Sequence, residues 1–127
     1  MMRVLEVFGL LAYCGFIYWL SDQATLPTPD LFSGEDKLHH AGAYFILAAL
    51  AWANFRHIAK PPIILAAAVI VFSSFYGASD EWHQSFVPGR SPDVLDWLAD
   101  TLGAVLAVLV LSTKYTKSTK NGVRRSG

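Results

Sequence analysis

From Asp80 to Asp100 the chain reads DEWHQSFVPGRSPDVLDWLAD. Five carboxylates, a histidine, a glutamine and an arginine are concentrated there, between stretches that are almost purely apolar. A second concentration lies in SGEDKLHHAGAY, with Asp36, Lys37, His40 and Tyr44. Carboxylates and imidazoles transfer protons or act as nucleophiles. Arginine and lysine bind phosphate oxygens, arginine bidentately. Carboxylates could also hold Mg2+ between protein and phosphate, as hard oxygen ligands do. His40, Glu81, Asp96 and Asp100 are therefore the candidate catalytic groups. Asp36, Lys37, Tyr44, Gln84 and Arg90 are the candidate substrate contacts.

The positions of these groups follow from the elements around them. The chain has 127 residues, enough for one domain. Hydrophobic residues make up 54% and charged residues only 16%, against roughly 25% charged in soluble domains. Mean hydropathy is +0.38. Ten Lys/Arg balance ten Asp/Glu, so net charge points to no nucleic-acid partner. Cys14 stands alone, which excludes an intramolecular disulfide and a cysteine metal site. LAYC (Leu11–Cys14) approaches a lipobox, but Tyr13 is too large for the residue before the cysteine. The first apolar run is expected to be a retained helix.

A bilayer core needs roughly 17–25 apolar residues per helix. Four segments approach that length, at about 4–20, 38–55, 61–79 and 94–113. Four such runs cannot close a barrel, so an all-α four-transmembrane-helix bundle is expected as one domain over 1–113. The basic stretch 114–127 reads as a disordered cytoplasmic tail touching anionic headgroups. Arg3, Arg56, Lys60, Lys114, Lys117, Lys120, Arg124 and Arg125 all fall on one side of four spans. These are eight of the ten Lys/Arg, and they put both termini in the cytoplasm. Trp19, Trp52, Trp82 and Trp97 read as interface anchors, Trp97 also as a pocket wall.

Helical spacing assembles the polar residues. Asp36, His40 and Tyr44 recur every four residues and share a face. Ser33 or Gly34 would cap this helix. In the third helix Ser73, Gly77, Asp80 or Glu81, and Gln84 lie on one side, with Asp80 and His83 also explicable as an interfacial helix end. Pro88-Gly89 suits a type II turn that presents Arg90. Ser91 is expected as N-cap of the fourth helix, with Pro92 in its first position. Asp96, Asp100 and Gly103 share a face of that helix. Asp100 would lie roughly 13 Å below Ser91, inside the outer leaflet. A carboxylate there must pair, take a proton or line a wet cavity. As a purely structural group it would pair with Arg90 or Tyr44; as an intramembrane ionisable residue it is expected to serve as an acid or base with a shifted pKa. The clusters converge on one polar pocket open to the outer face. His39, His57 and His83 show no metal-ligand spacing.

DKLHHAGAY followed by YGASDEWHQSFVPGRSPDVLDWLADTLGA resembles the VanZ-like family of small bacterial membrane proteins, over about residues 20–112. The family pattern falls on Asp36, Lys37, His40 and Tyr44, then on Glu81, Gln84, Pro88, Gly89, Arg90, Asp96, Asp100 and Gly103. Many members have Asn where this chain has Asp100. The resemblance implies a multi-pass protein of the bacterial inner membrane. Its namesake is associated with low-level resistance to the glycopeptide teicoplanin, and the family looks related to membrane proteins proposed to process lipid headgroups.

Two functions are expected to compete. One is an enzyme that hydrolyses or transfers a headgroup on a phosphate-containing lipid or lipid-linked glycan precursor. The other is a non-catalytic envelope protein that binds lipid or modulates glycopeptide susceptibility. The partner is a membrane lipid or lipid-linked precursor in both.

Overall fold

A computed structural model describes residues 1–23 and 35–126. It has four helices and, among the described residues, no strand: α1 (Met2–Ser21), α2 (Glu35–Phe55), α3 (Pro62–Gln84) and α4 (Val94–Ser126). The expected cap of α2 by Ser33 or Gly34 falls outside the described residues.

Helices α1, α3 and α4 are long and apolar enough to cross a membrane. Helix α2 is long enough, its 21 residues spanning about 31 Å. It falls short on apolarity because Glu35, Asp36, Lys37, His39 and His40 occupy its first two turns. Like α3, it packs against all three other helices.

The packing is up-down-up-down. Helices α2 and α4 run parallel, as Ala41 lies against Gly103 and Trp52 against Tyr115. Helix α3 runs the other way, with Ser74 bonded to Thr101 and Glu81 near the start of α4. Helix α1 packs on α2 and α3. Small residues set the closest approach. Ala48, Ala51, Ala104 and Ala107 are buried with Trp52, Leu65, Val69 and Val108. A side chain at Gly103 would collide with the Ala41 carbonyl. Trp52 is thus a core residue and not an interface anchor, because facing alanines leave room for its indole. A second buried cluster, Ile17, Tyr44 and Leu47, lies nearer the polar end. Exposed apolar side chains such as Phe8, Leu11, Phe75 and Leu109 remain on the outside, as lipid contact requires.

The turn before α4 forms as expected. Gly89 has φ 83, and the Arg90 amide donates to the Val87 carbonyl at 3.1 Å; both suit a type II turn. The cap differs. Helix α4 begins at Val94, and Asp93 Oδ1 accepts from the Leu95 amide at 2.9 Å. Asp93 replaces Ser91 as cap because a carboxylate matches the dipole and the exposed amides better than a hydroxyl two residues earlier.

Past the apolar span, α4 continues through the basic segment to Ser126. Lys114, Lys117 and Lys120 are good helix formers, and Arg124 and Arg125 sit in the last turn where the dipole favours cations.

Candidate functional site

The site is built where the N-terminal halves of α2 and α4 meet the C-terminal end of α3. Residues Lys37, His40 and Tyr44 on α2 are spaced i, i+3, i+7. Asp93, Asp96 and Asp100 have the same spacing at the start of α4. Two parallel helices with matching stripes pair rung by rung. Lys37 Nζ bonds Asp96 Oδ1 at 2.5 Å and Asp93 Oδ2 at 2.9 Å. His40 Nδ1 lies 2.7 Å from Asp100 Oδ1, and its Nε2 lies 3.7 Å from Asp96 Oδ2.

Polarity is graded with depth. At the rim Lys37 also bonds Asp36 Oδ2 at 2.9 Å. The Asp36 side chain is 54% exposed, so Asp36 belongs to the mouth and not to the cluster that its helical stripe suggested. Bonds to Asp96, Asp36 and Asp93 hold the Lys37 pKa well above the usual lysine range. The same bond holds the Asp36 carboxyl low, and Lys37 with the Leu95 amide holds Asp93 low. Asp100 at the bottom has no exposed surface. Its partner is His40, not Arg90 or Tyr44. Gly77 makes room for it, since a Cβ there would stand 2.9 Å from Asp100 Oδ2.

Helix α3 closes the third side. Ending five residues beyond the apolar run, it buries Asp80, Glu81 and Gln84. Both acids face inward, although the spacing left open which of them would. Glu81 Oε2 accepts from the Asp93 amide at 2.9 Å, tying the end of α3 to the start of α4. One ligand atom from each of His40, Asp80, Glu81 and Asp100 can be chosen so that all lie within 4.8 Å of one another. These are the described residues able to share a metal ion.

A cavity of about 70 Å3 adjoins the cluster, lined among others by Ser21, His40, Tyr44, Asp80, Gln84 and Arg90. Arg90 Nη1 donates to the Gln23 carbonyl at 3.1 Å, which holds the guanidinium at the cavity wall. Tyr44 is 1% exposed. Its hydroxyl, with Ser73 Oγ, Glu81 Oε1 and Asp100 Oδ2, is buried without a hydrogen-bond partner among the described residues. Such orphans are uncommon in native structures and call for an explanation.

Residues outside the cluster have structural duties. His83 stacks on Tyr18 with ring centroids 4.4 Å apart and reaches Asp22 at 3.2 Å. The Trp97 indole donates to the Ser74 carbonyl at 3.0 Å, tying α4 to α3. At the opposite end Glu6 binds Arg56 at 2.9 Å and His57 at 2.7 Å. Asp80 is the member that spacing underrated. Its signal was the run Ser73, Gly77, Asp80, Gln84, one continuous helix face.

Helices apolar enough to cross a bilayer and an inward-facing histidine–carboxylate cluster fit a polytopic membrane protein with a buried polar site. The family model VanZ/LLP1 matches residues 8–115, so the chain belongs to the VanZ/LLP1 family. No curated protein and no solved structure matches it significantly.

Proposed function

We propose that this protein acts on the headgroup of a phosphate-containing lipid or lipid-linked glycan, by hydrolysis or transfer, in the bacterial inner membrane. All four helices cross, both termini are cytoplasmic, and the pocket opens outward. The observation that carries the chemistry is the His40–Asp100 pair, 2.7 Å apart beside a cavity that Arg90 also lines.

A buried carboxylate bonded to one ring nitrogen fixes the imidazole and stabilises its charged form. His40 then takes a proton from water or an acceptor hydroxyl as its oxygen bonds to phosphorus. The bond from phosphorus to the leaving oxygen breaks, and the proton taken up by His40 passes to that oxygen, which restores the neutral imidazole. Arg90 binds the phosphate oxygens. Lys37, engaged with three carboxylates at the rim, sets the register of α2 on α4. The acyl chains lie along the exposed apolar faces. Packing on all three neighbours shields α2, whose polar turns lie against α3 and α4.

Purified protein in nanodiscs, offered radiolabelled phospholipids and polyprenyl-phosphate-linked precursors, tests this reading. Arg90→Ala and Asp100→Ala are expected to abolish headgroup release or transfer while still inserting. Normal turnover in both removes the assignment. Tight binding of one lipid with no turnover across the panel assigns the chain to the binding class.

A further inference from the structure

Asp80, Glu81 and Asp100 bring three carboxylates into one buried space, with exposures of 8%, 8% and 0%. None of them makes an ion pair with lysine or arginine among the described residues. Lys37 is taken by Asp36, Asp93 and Asp96, and Arg56 by Glu6. Like charges this close cannot all ionise unless a cation joins them. Among the described residues His40 is the base bonded to the set, through Asp100, and Arg90 acts on Asp80 from the shared cavity wall without an ion pair.

The hydrogen bonding of two of the acids is asymmetric in the same way. Asp100 Oδ1 is bonded to His40 and its Oδ2 is orphaned; Glu81 Oε2 is bonded to the Asp93 amide and its Oε1 is orphaned. Each is oriented through one oxygen and has the other available. An independent sign comes from Tyr44, which is not a member of the acidic set. Its hydroxyl is buried, unpartnered among the described residues, and belongs to a side chain lining the same cavity as Asp80 and His40.

We propose that Asp80, Glu81 and Asp100 bind one divalent cation of the Mg2+ or Mn2+ class, with His40 orienting Asp100 through its other oxygen. All-oxygen donors select hard cations. An octahedral ion with bonds of about 2.1 Å spaces its ligands roughly 3–4.2 Å apart. The donor atoms of the cluster lie within 4.8 Å of one another, so the carboxylates close in by up to about 1.8 Å to reach the adjacent spacing of about 3 Å. Water on the ion, or a phosphate oxygen, gives the Tyr44 hydroxyl its missing partner. An ion beside Arg90 and the cavity would neutralise a phosphate group bound there; that use rests on the proposed function, whereas the binding does not.

The test is a Mn2+ titration of the EDTA-stripped full chain in phosphatidylcholine nanodiscs, read by loss of the free Mn2+ paramagnetic resonance signal. One Mn2+ per chain above empty nanodiscs, displaced by excess Mg2+, is expected. Binding is expected to weaken at least tenfold in Asp80→Asn and in Glu81→Gln, and to be unchanged in Asp36→Asn at the rim. No binding above empty nanodiscs overturns the proposal, as does full retention in both site variants. Should those variants fail to insert, relaxation broadening of labelled histidine rings in the wild type locates the ion. Broadening at His40 supports the site, and broadening only at His57, beside Glu6, overturns it. Mn2+ binding without headgroup turnover supports the ion site and removes the catalytic reading. Turnover without ion binding overturns the ion site and leaves that reading standing.

Discussion

His40 on α2 and Asp100 on α4 stand sixty residues apart in sequence, yet Nδ1 and Oδ1 meet at 2.7 Å. Asp100 is fully buried and His40 nearly so, and this bond joins the two helices at the deepest polar point of the site. If the pair works as one unit, its two removals are not additive. Asp100→Asn and His40→Ala should each lower headgroup turnover by about 10²–10⁴-fold. The double variant should be little worse than the poorer single one, as a four-way comparison of rates would read. Independent, multiplying losses would mean that the two side chains do separate work.

Two glycines on facing helices separate stability from chemistry. At Gly103 a new Cβ strikes the Ala41 main chain, which cannot move without parting α2 from α4. Gly103→Ala should cost about 1–3 kcal/mol, the usual range for overpacking, and lower the thermal midpoint. At Gly77 the neighbour is the Asp100 side chain, with its Oδ2 at 2.9 Å and its Cβ at 3.1 Å. Gly77→Ala should displace that carboxylate and depress turnover with a smaller loss of stability. Equal melting shifts for the two variants would contradict this division.

The Glu6 clamp at the other end should affect folding alone. Glu6 bonds Arg56 and His57, and the Asn54 amide donates to the Glu6 carbonyl at 3.0 Å. Glu6→Ala removes the bonds to Arg56 and His57 and leaves the Asn54 bond to the main-chain carbonyl, so it loosens α1 on the α2–α3 connection. Protein abundance should fall while turnover per inserted molecule stays unchanged. A loss of specific activity would show that the far end of the bundle reaches the site.

The rim is expected to be acid-sensitive. Lys37 holds the Asp36 carboxyl below its usual range. A carboxyl depressed in the folded state stabilises fully above its unfolded pKa, about 3.9, and that contribution is lost as pH falls through the folded value. Thermal midpoints in nanodiscs should therefore drop more steeply below about pH 4 in the wild type than in Asp36→Asn. Parallel pH profiles would deny the Asp36–Lys37 bond a part in stability.

Much of this arrangement was legible in the residues. The apolar runs located all four helices, and turn chemistry located Arg90. Spacing put His40 and Tyr44 on one face and Asp96 and Asp100 on another. Periodicity reports which residues share a face but not which faces meet. The pairing of His40 with Asp100, and the engagement of Lys37 with Asp93 and Asp96, depend on α2 and α4 lying parallel in matching register. A charge at a helix end is usually solvated, so local sequence undervalues Asp80, whereas α3 continues to Gln84 and carries it inward. Trp52 is buried because the opposing residues are alanines, a feature of packing and not of local sequence. The basic segment continues as helix because lysines at helical spacing favour one even where their charge suggests a loose tail.

The most direct test of the central claim compares wild type with Asp100→Asn in nanodiscs. Both are offered radiolabelled phospholipids and polyprenyl-phosphate-linked precursors, and headgroup release or transfer is followed. The asparagine preserves size and leaves His40 an oxygen to bond. The account predicts turnover on at least one phosphate-containing lipid by the wild type and its loss in a variant that still inserts and melts normally. Equal turnover by the two proteins would contradict it.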